Sequence, residues 1–151
     1  MLFSLVNEIM KYPFLKRAFK KKMNKYKYKI RPHHGMCIAF FQGKGYSNKF
    51  TAHMDKIIHK LENNPIIYIS TQTDIICCKC PNNKQGLCEM QSKVIEYDRQ
   101  VLKYCSLSEG MIIPYADLKK AIYENILIPD KRKEICGNCQ WNKLCYFNAE
   151  Q

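Results

Sequence analysis

The sequence predicts an α+β fold: a small single domain with about three helices, short strands and two cysteine-bearing metal loops. Three observations carry this. Apolar residues recur at helical spacing in three stretches, about Ser47–Glu62, Glu89–Tyr104 and Tyr115–Ile126. Short alternating or apolar runs, Tyr26–Arg31 and Ile66–Ser70, are followed by turn-forming or polar residues. Two cysteine triplets, Cys77-x2-Cys80-x7-Cys88 and Cys136-x2-Cys139-x5-Cys145, lie in segments between and after the helices.

Taken in order, residues 1–24 form a basic amphipathic leader and residues 25–151 a cysteine-rich domain. In the leader Leu2, Leu5, Val6, Ile9 and Met10 fall at helical spacing, Pro13 interrupts, and a Lys20-Lys21-Lys22 run closes the pattern. Such a segment can make peripheral contact with an anionic membrane surface. An isolated helix of this length is marginal in water, so an appendage, or an upstream stretch before a start at Met23, is the alternative. Tyr26–Arg31 alternates aromatic or aliphatic with basic residues and predicts a strand. Pro32 to Cys37 leaves it, Ile38–Phe41 is a short apolar run, and Gly43-Lys44-Gly45-Tyr46 is a turn. Ser47 is the expected N-cap of the first helix, with Phe50, Met54, Ile57, Ile58 and Leu61 as its apolar stripe; Asn63-Asn64-Pro65 ends it. Ile66–Ser70 reads as a strand. The second helix should face inward with Val94, Ile95, Val101 and Leu102, the third with Leu118, Ala121, Ile122 and Ile126. A charged link, Asp130–Glu134, then delivers the second triplet.

At 151 residues, 46% of them hydrophobic, the chain can bury a core without covalent staples. Nine cysteines are too few for a disulfide scaffold, and an odd number leaves one unpaired. There is no apolar run of membrane-spanning length and no secretory signal pattern, so a reducing cytoplasm is the expected setting. The net charge of +12 suggests nucleic acid, but ten of the 25 Lys/Arg and one of the 13 Asp/Glu fall in residues 1–31. The other 120 residues carry only +3, and ligated thiolates would lower that further. The basicity belongs to the leader rather than to a nucleic-acid groove.

Two residues between cysteines let one tight turn aim both sulfurs at one metal centre. Asn82, Asn83, Gly86, Gly137 and Asn138 accept such turns and leave backbone N–H groups free to face sulfur. Zinc would take two C-x2-C pairs and leave Cys88 and Cys145 idle, with a gap of 55 residues between the pairs. An iron–sulfur cluster tolerates irregular spacing and uses the third cysteines; Cys80-Pro81 echoes the Cys-Pro of ferredoxin runs. A redox-active C-x2-C pair would need a strand before it and a helix directly after it, which the second triplet lacks. Cys78 reads as a buried or idle thiol and Cys105 as core. Cys37, three residues after His34, is a candidate for a His/Cys corner.

Arg31-Pro32-His33-His34 and Cys37, Phe40 to Ser47, Asp74-x2-Cys77-x2-Cys80-Pro81-Asn82, Gly86-x-Cys88, Tyr97-Asp98 and Ile135-Cys136-Gly137-x-Cys139-x-Trp141 act together as a signature. With these landmarks the chain resembles, over about residues 26–146, a bacterial and archaeal family of small proteins of unknown function described as iron–sulfur binding. Gly35-Met36 departs from the leucines more usual there. The resemblance favours an iron–sulfur cluster over zinc and implies no reaction; a 4Fe–4S cluster is the expected type.

The expected ligands are Cys77, Cys80, Cys88, Cys136, Cys139 and Cys145, holding one cluster or two incompletely ligated ones. His33, His34 and Cys37 are candidates for ligation or for tuning. On an extended chain the two histidines would face opposite ways, so at most one could reach the site. Asp74 reads as a turn former, Asp98 as an ion-pair partner of Arg31, and Trp141 and Tyr146 as shields for the sulfurs. The expected function is electron transfer or redox sensing with an unknown redox partner. A zinc-binding structural or interaction module, or a cluster-dependent enzyme with unknown catalytic residues, is the alternative.

Overall fold

Ile67 and Ile69 are fully buried while Ile66 is exposed, the alternation of a strand with one face on a core. This strand, β2 (Ile66–Ile69), is the middle of a three-stranded sheet. The computed structural model describes residues 25–146 and, before them, residues 13, 14 and 17. The leader otherwise lies outside the described residues.

On one side β2 pairs in parallel with β1 (Tyr28–Ile30), Ile30 opposite Ile69. On the other it pairs antiparallel with β5 (Ile112–Pro114), Ile67 opposite Ile113. Sequence reading placed the first two strands and missed the third, whose three residues end in a proline. Parallel neighbours need a long crossover. Here it consists of helix α1 (Pro32–Ala39) and helix α2 (Asn48–Leu61). The remaining elements are a 3-10 turn at Ile76–Lys79, a hairpin of β3 (Asn83–Lys84) and β4 (Leu87–Cys88), and helix α3 (Gln91–Cys105). After β5 come helix α4 (Tyr115–Ile122) with a π-helical extension (Tyr123–Leu127), helix α5 (Arg132–Cys136) and a 3-10 turn at Asn142–Leu144.

Helix α2 follows its pattern closely. The Ser47 hydroxyl accepts the Phe50 N–H at 3.1 Å, and Phe50, Met54, Ile57 and Leu61 are buried. Asn64, with φ 51°, turns the chain into β2. The buried line of α3 runs through Tyr97, Asp98, Val101 and Cys105; Cys105 is core, as expected. Leu118, Ile122 and Ile126 join Ile30, Ile67, Ile69 and Val101 in the central cluster.

Two segments differ from the sequence expectation. Residues 130–134 are not a plain link, because Arg132 to Cys136 close into α5. More consequentially, Pro32 to Ala39 is helical, with proline preset for the first turn. Its N-cap residue Arg31 offers no side-chain cap. Buried carboxylates from elsewhere do that work: Asp74 accepts the Arg31 N–H at 2.7 Å and Asp98 accepts the His33 N–H at 3.1 Å. His33 and His34 are therefore helical neighbours and not residues on opposite faces of a strand. Gly35 lets this helix meet α4, since a Cβ there would lie 2.5 Å from Ile122 Cδ1. Gly35→Val is expected to lower stability by roughly 1–3 kcal/mol through overpacking. A shift in denaturant midpoint at unchanged slope would show it.

Candidate metal centre

The second triplet is laid out by repeated three-residue turns. The Cys139 N–H reaches Cys136 O at 3.0 Å, Asn142 N–H reaches Cys139 O at 3.0 Å, and Cys145 N–H reaches Asn142 O at 3.3 Å. Thiols spaced by multiples of three residues on such a path fall along one side of it. That side faces helix α1, and Cys37 joins Cys136, Cys139 and Cys145 around one cavity, closed further by Phe40, Phe50 and Trp141. Four thiols thus converge from segments far apart in sequence.

The electrostatics agree with that convergence. The Cys37 thiol is pushed well up, by burial first and then by Cys136, Cys145 and Cys139. Burial also raises Cys136, opposed by Arg132. The Arg132 Nη1 donates to Cys136 Sγ at 3.8 Å and Nη2 donates to Asn142 Oδ1 at 2.9 Å, while the Trp141 N–H donates to Cys139 Sγ at 3.5 Å. Arg132 is buried and makes no carboxylate ion pair among the described residues. A buried cation needs negative charge nearby, and the facing thiols supply it once ionised. Neither Arg132 nor this need was read from the sequence; its place four residues before Cys136, one helical turn, was the available signal.

The first triplet lines a neighbouring cavity. The 3-10 turn sets the Cys80 N–H on Cys77 O at 3.0 Å. The hairpin then reverses through Gln85 (φ 54°) and Gly86 (φ 88°), both left-handed as a two-residue primed turn requires, and returns Cys88 toward Cys80. Cys80 is raised by burial and by Cys88, with the backbone N–H groups of Asn82 and Asn83 easing the charge on its sulfur. Cys77 lies against Asp74; burial and that carboxylate push its thiol far up. Cys78 is exposed and not buried, its thiol donating weakly to the Asp74 carbonyl at 4.0 Å. Cys139 and both histidines border both cavities.

Each histidine is held at Nδ1 by a buried carboxylate, His33 by Asp98 at 2.6 Å and His34 by Asp74 at 2.7 Å. Asp98 also takes Arg31 Nε and Nη2, at 2.9 and 2.7 Å, the expected ion pair. Burial and His34 lower His33 to about 4, so its ring is neutral at neutral pH, donating at Nδ1 and leaving Nε2 with a lone pair. Burial disfavours the Asp74 anion, yet His34 and the Arg31 N–H hold it at about 2. Asp74 Oδ1 accepts Ile76 N–H at 2.9 Å and Cys77 N–H at 3.2 Å, the expected turn, but its hold on His34 is an added role. Trp141 shields the sulfurs as expected, whereas Tyr146 is 80% exposed and does not. Among the described residues no helix is long and apolar enough to cross a membrane.

A family model described as a protein of unknown function, DUF1284, matches residues 45–145. The chain belongs to the DUF1284 family. The DUF1284 match contains both cysteine triplets, Asp74, Asp98 and Arg132, and begins after the helix that carries His33, His34 and Cys37. No curated protein and no solved structure matches the chain.

Proposed function

We propose that this DUF1284 protein binds an iron–sulfur cluster of the 4Fe–4S type through Cys37, Cys136, Cys139 and Cys145, and serves in electron transfer or redox sensing. The observation that carries the reading is the arrival of Cys37 at the second triplet, which turns three thiols into the four that a cubane takes. Buried Arg132 supports it, because a thiolate-bound cluster is anionic and offers the guanidinium its missing counter-charge. The N–H donors on Cys136 and Cys139 act in the same sense. A bound cluster supplies a one-electron couple. Four protein thiolates leave no ligand position open for substrate, which favours electron exchange over substrate chemistry. Cys139 and Cys145 are only half-buried, so a redox partner can approach this side. A reducing, cytoplasmic setting suits such ligands.

Anaerobically purified protein is expected to be brown, with about four iron and four acid-labile sulfide per chain. Cys37→Ser should remove most of both, as Cys139→Ser does, while Cys105→Ser leaves them in place. Colourless full-length protein free of iron, or a Cys37→Ser variant with a full complement, would refute the assignment.

A further inference from the structure

Beside the four-thiol cavity, and sharing His34 with its lining, the structure holds a second donor set with a different chemistry. We propose that Cys77, Cys80, Cys88 and the Nε2 of His34 form a separate, closed site for one divalent transition-metal ion of the zinc class.

The hairpin is the first reason. A C-x2-C turn followed directly by a tight hairpin that returns a third cysteine is a compact three-thiol clasp, and its backbone N–H groups already face the Cys80 sulfur. Helix α1 provides the fourth donor. A His34 ring nitrogen, the Cys77 sulfur and an Asp74 oxygen lie within 4.8 Å of one another. Cys80 and Cys88 line the same cavity but stand outside that trio, so their sulfurs have to close on it by side-chain movement to reach the ligand spacing of roughly 3–4 Å set by Zn–S of about 2.3 Å and Zn–N of about 2.0 Å. The third reason is orientation. Asp74 already occupies Nδ1 of His34, is itself fixed by the N–H groups of Arg31, Ile76 and Cys77, and no hydrogen bond engages Nε2 among the described residues. A ligating histidine characteristically gives its other nitrogen to such a carboxylate. On binding, the ion displaces the thiol protons to solvent, and its charge offsets the repulsion that a Cys77 thiolate would meet from Asp74. Three thiolates and one imidazole fill a tetrahedron, so the site reads as structural, tying α1 to the hairpin.

The proposal does not rest on the cluster reading, since the two donor sets share no residue. The protein as purified anaerobically should contain about one zinc per chain, and zinc-edge absorption should fit three sulfur and one nitrogen neighbours. Cys37→Ser should lose iron and keep zinc, which separates the two readings. Full-length protein carrying Cys136→Ser and Cys139→Ser should bind about one Co(II) with thiolate charge-transfer and tetrahedral d–d bands, displaced by Zn(II). Cys80→Ser should weaken Co(II) at least about 100-fold, and Asp74→Asn about 10–100-fold as a positioning residue. His34→Asn is the decisive variant, because asparagine keeps a donor to Asp74 near the Nδ1 position but lacks Nε2. It should stay folded by circular dichroism, lose at least about tenfold in Co(II) affinity and shift the d–d bands. Unchanged Co(II) affinity in His34→Asn or Cys80→Ser would overturn the proposal. So would a native protein without zinc, or one with about eight iron per chain. Should the double variant not fold, the zinc count and edge spectrum of the native protein decide.

Discussion

Asp98→Ala is expected to cost about 3–5 kcal/mol, a large share of the stability of a domain this size. The carboxylate is fully buried and receives four donors: two from the Arg31 guanidinium, the His33 ring and the His33 N–H. Its removal strands a guanidinium that is 1% exposed, with only Gln91, among the described residues, left to accept from it at 2.9 Å. That uncompensated charge, more than the lost pair itself, sets the cost. Replacing both partners, Arg31→Met with Asp98→Leu, should therefore recover much of the loss even though one more polar group is gone. Denaturant midpoints of the two variants give the comparison, and a double variant no more stable than Asp98→Ala would contradict this account.

The second large effect is on acidification. His33 titrates at about 4 in the folded protein, lowered by burial and by His34, against about 6.5 when unfolded. Between those values the unfolded chain takes up a proton that the native ring refuses, so stability falls as pH drops from about 6.5 to about 4. Across that window the loss amounts to about 3 kcal/mol. Asp98, lowered in the fold despite its burial because His33 and Arg31 pull it down, contributes stability that persists above the unfolded carboxylate value. Its loss comes at lower pH than that of His33. Midpoints measured against pH on chelator-stripped protein should show the steeper fall, and His33→Asn should flatten it by about one proton.

How much of this was legible depends on where each element finds its partners. Helix α2 carries its own signals, the Ser47 cap and a stripe from Phe50 to Leu61, and reading it required nothing from the rest of the chain. Helix α1 carries almost none. Its first N–H groups are satisfied by Asp74 and Asp98, 43 and 65 residues away, and a glycine sits in its middle for the sake of Ile122. No local window contains those facts, so the histidines were assigned to extended chain. The cysteine triplets were plain from spacing. That Cys37 belongs with the second one, and His34 beside the first, depends on packing of α1 across α3 and could not be counted out from the sequence. The Arg31–Asp98 pair was anticipated as a match of opposite charges, but that both partners are fully buried was not.

The four-thiol cavity draws one wall from Cys37 and three from a segment roughly 100 residues downstream, which bears on the order in which the protein matures. On the ribosome, Cys37 and the hairpin cysteines emerge long before Cys136. The donors of the proposed zinc-class site lie between residues 34 and 88 and can meet once helix α3 is made to carry α1, whereas the four-thiol cavity cannot exist until residue 145 has been added. Premature iron delivery would find one thiol of the four. With both proposed sites filled, chain order would favour the ion before the cluster, and a ligated cluster would then act as a clasp between segments roughly 100 residues apart.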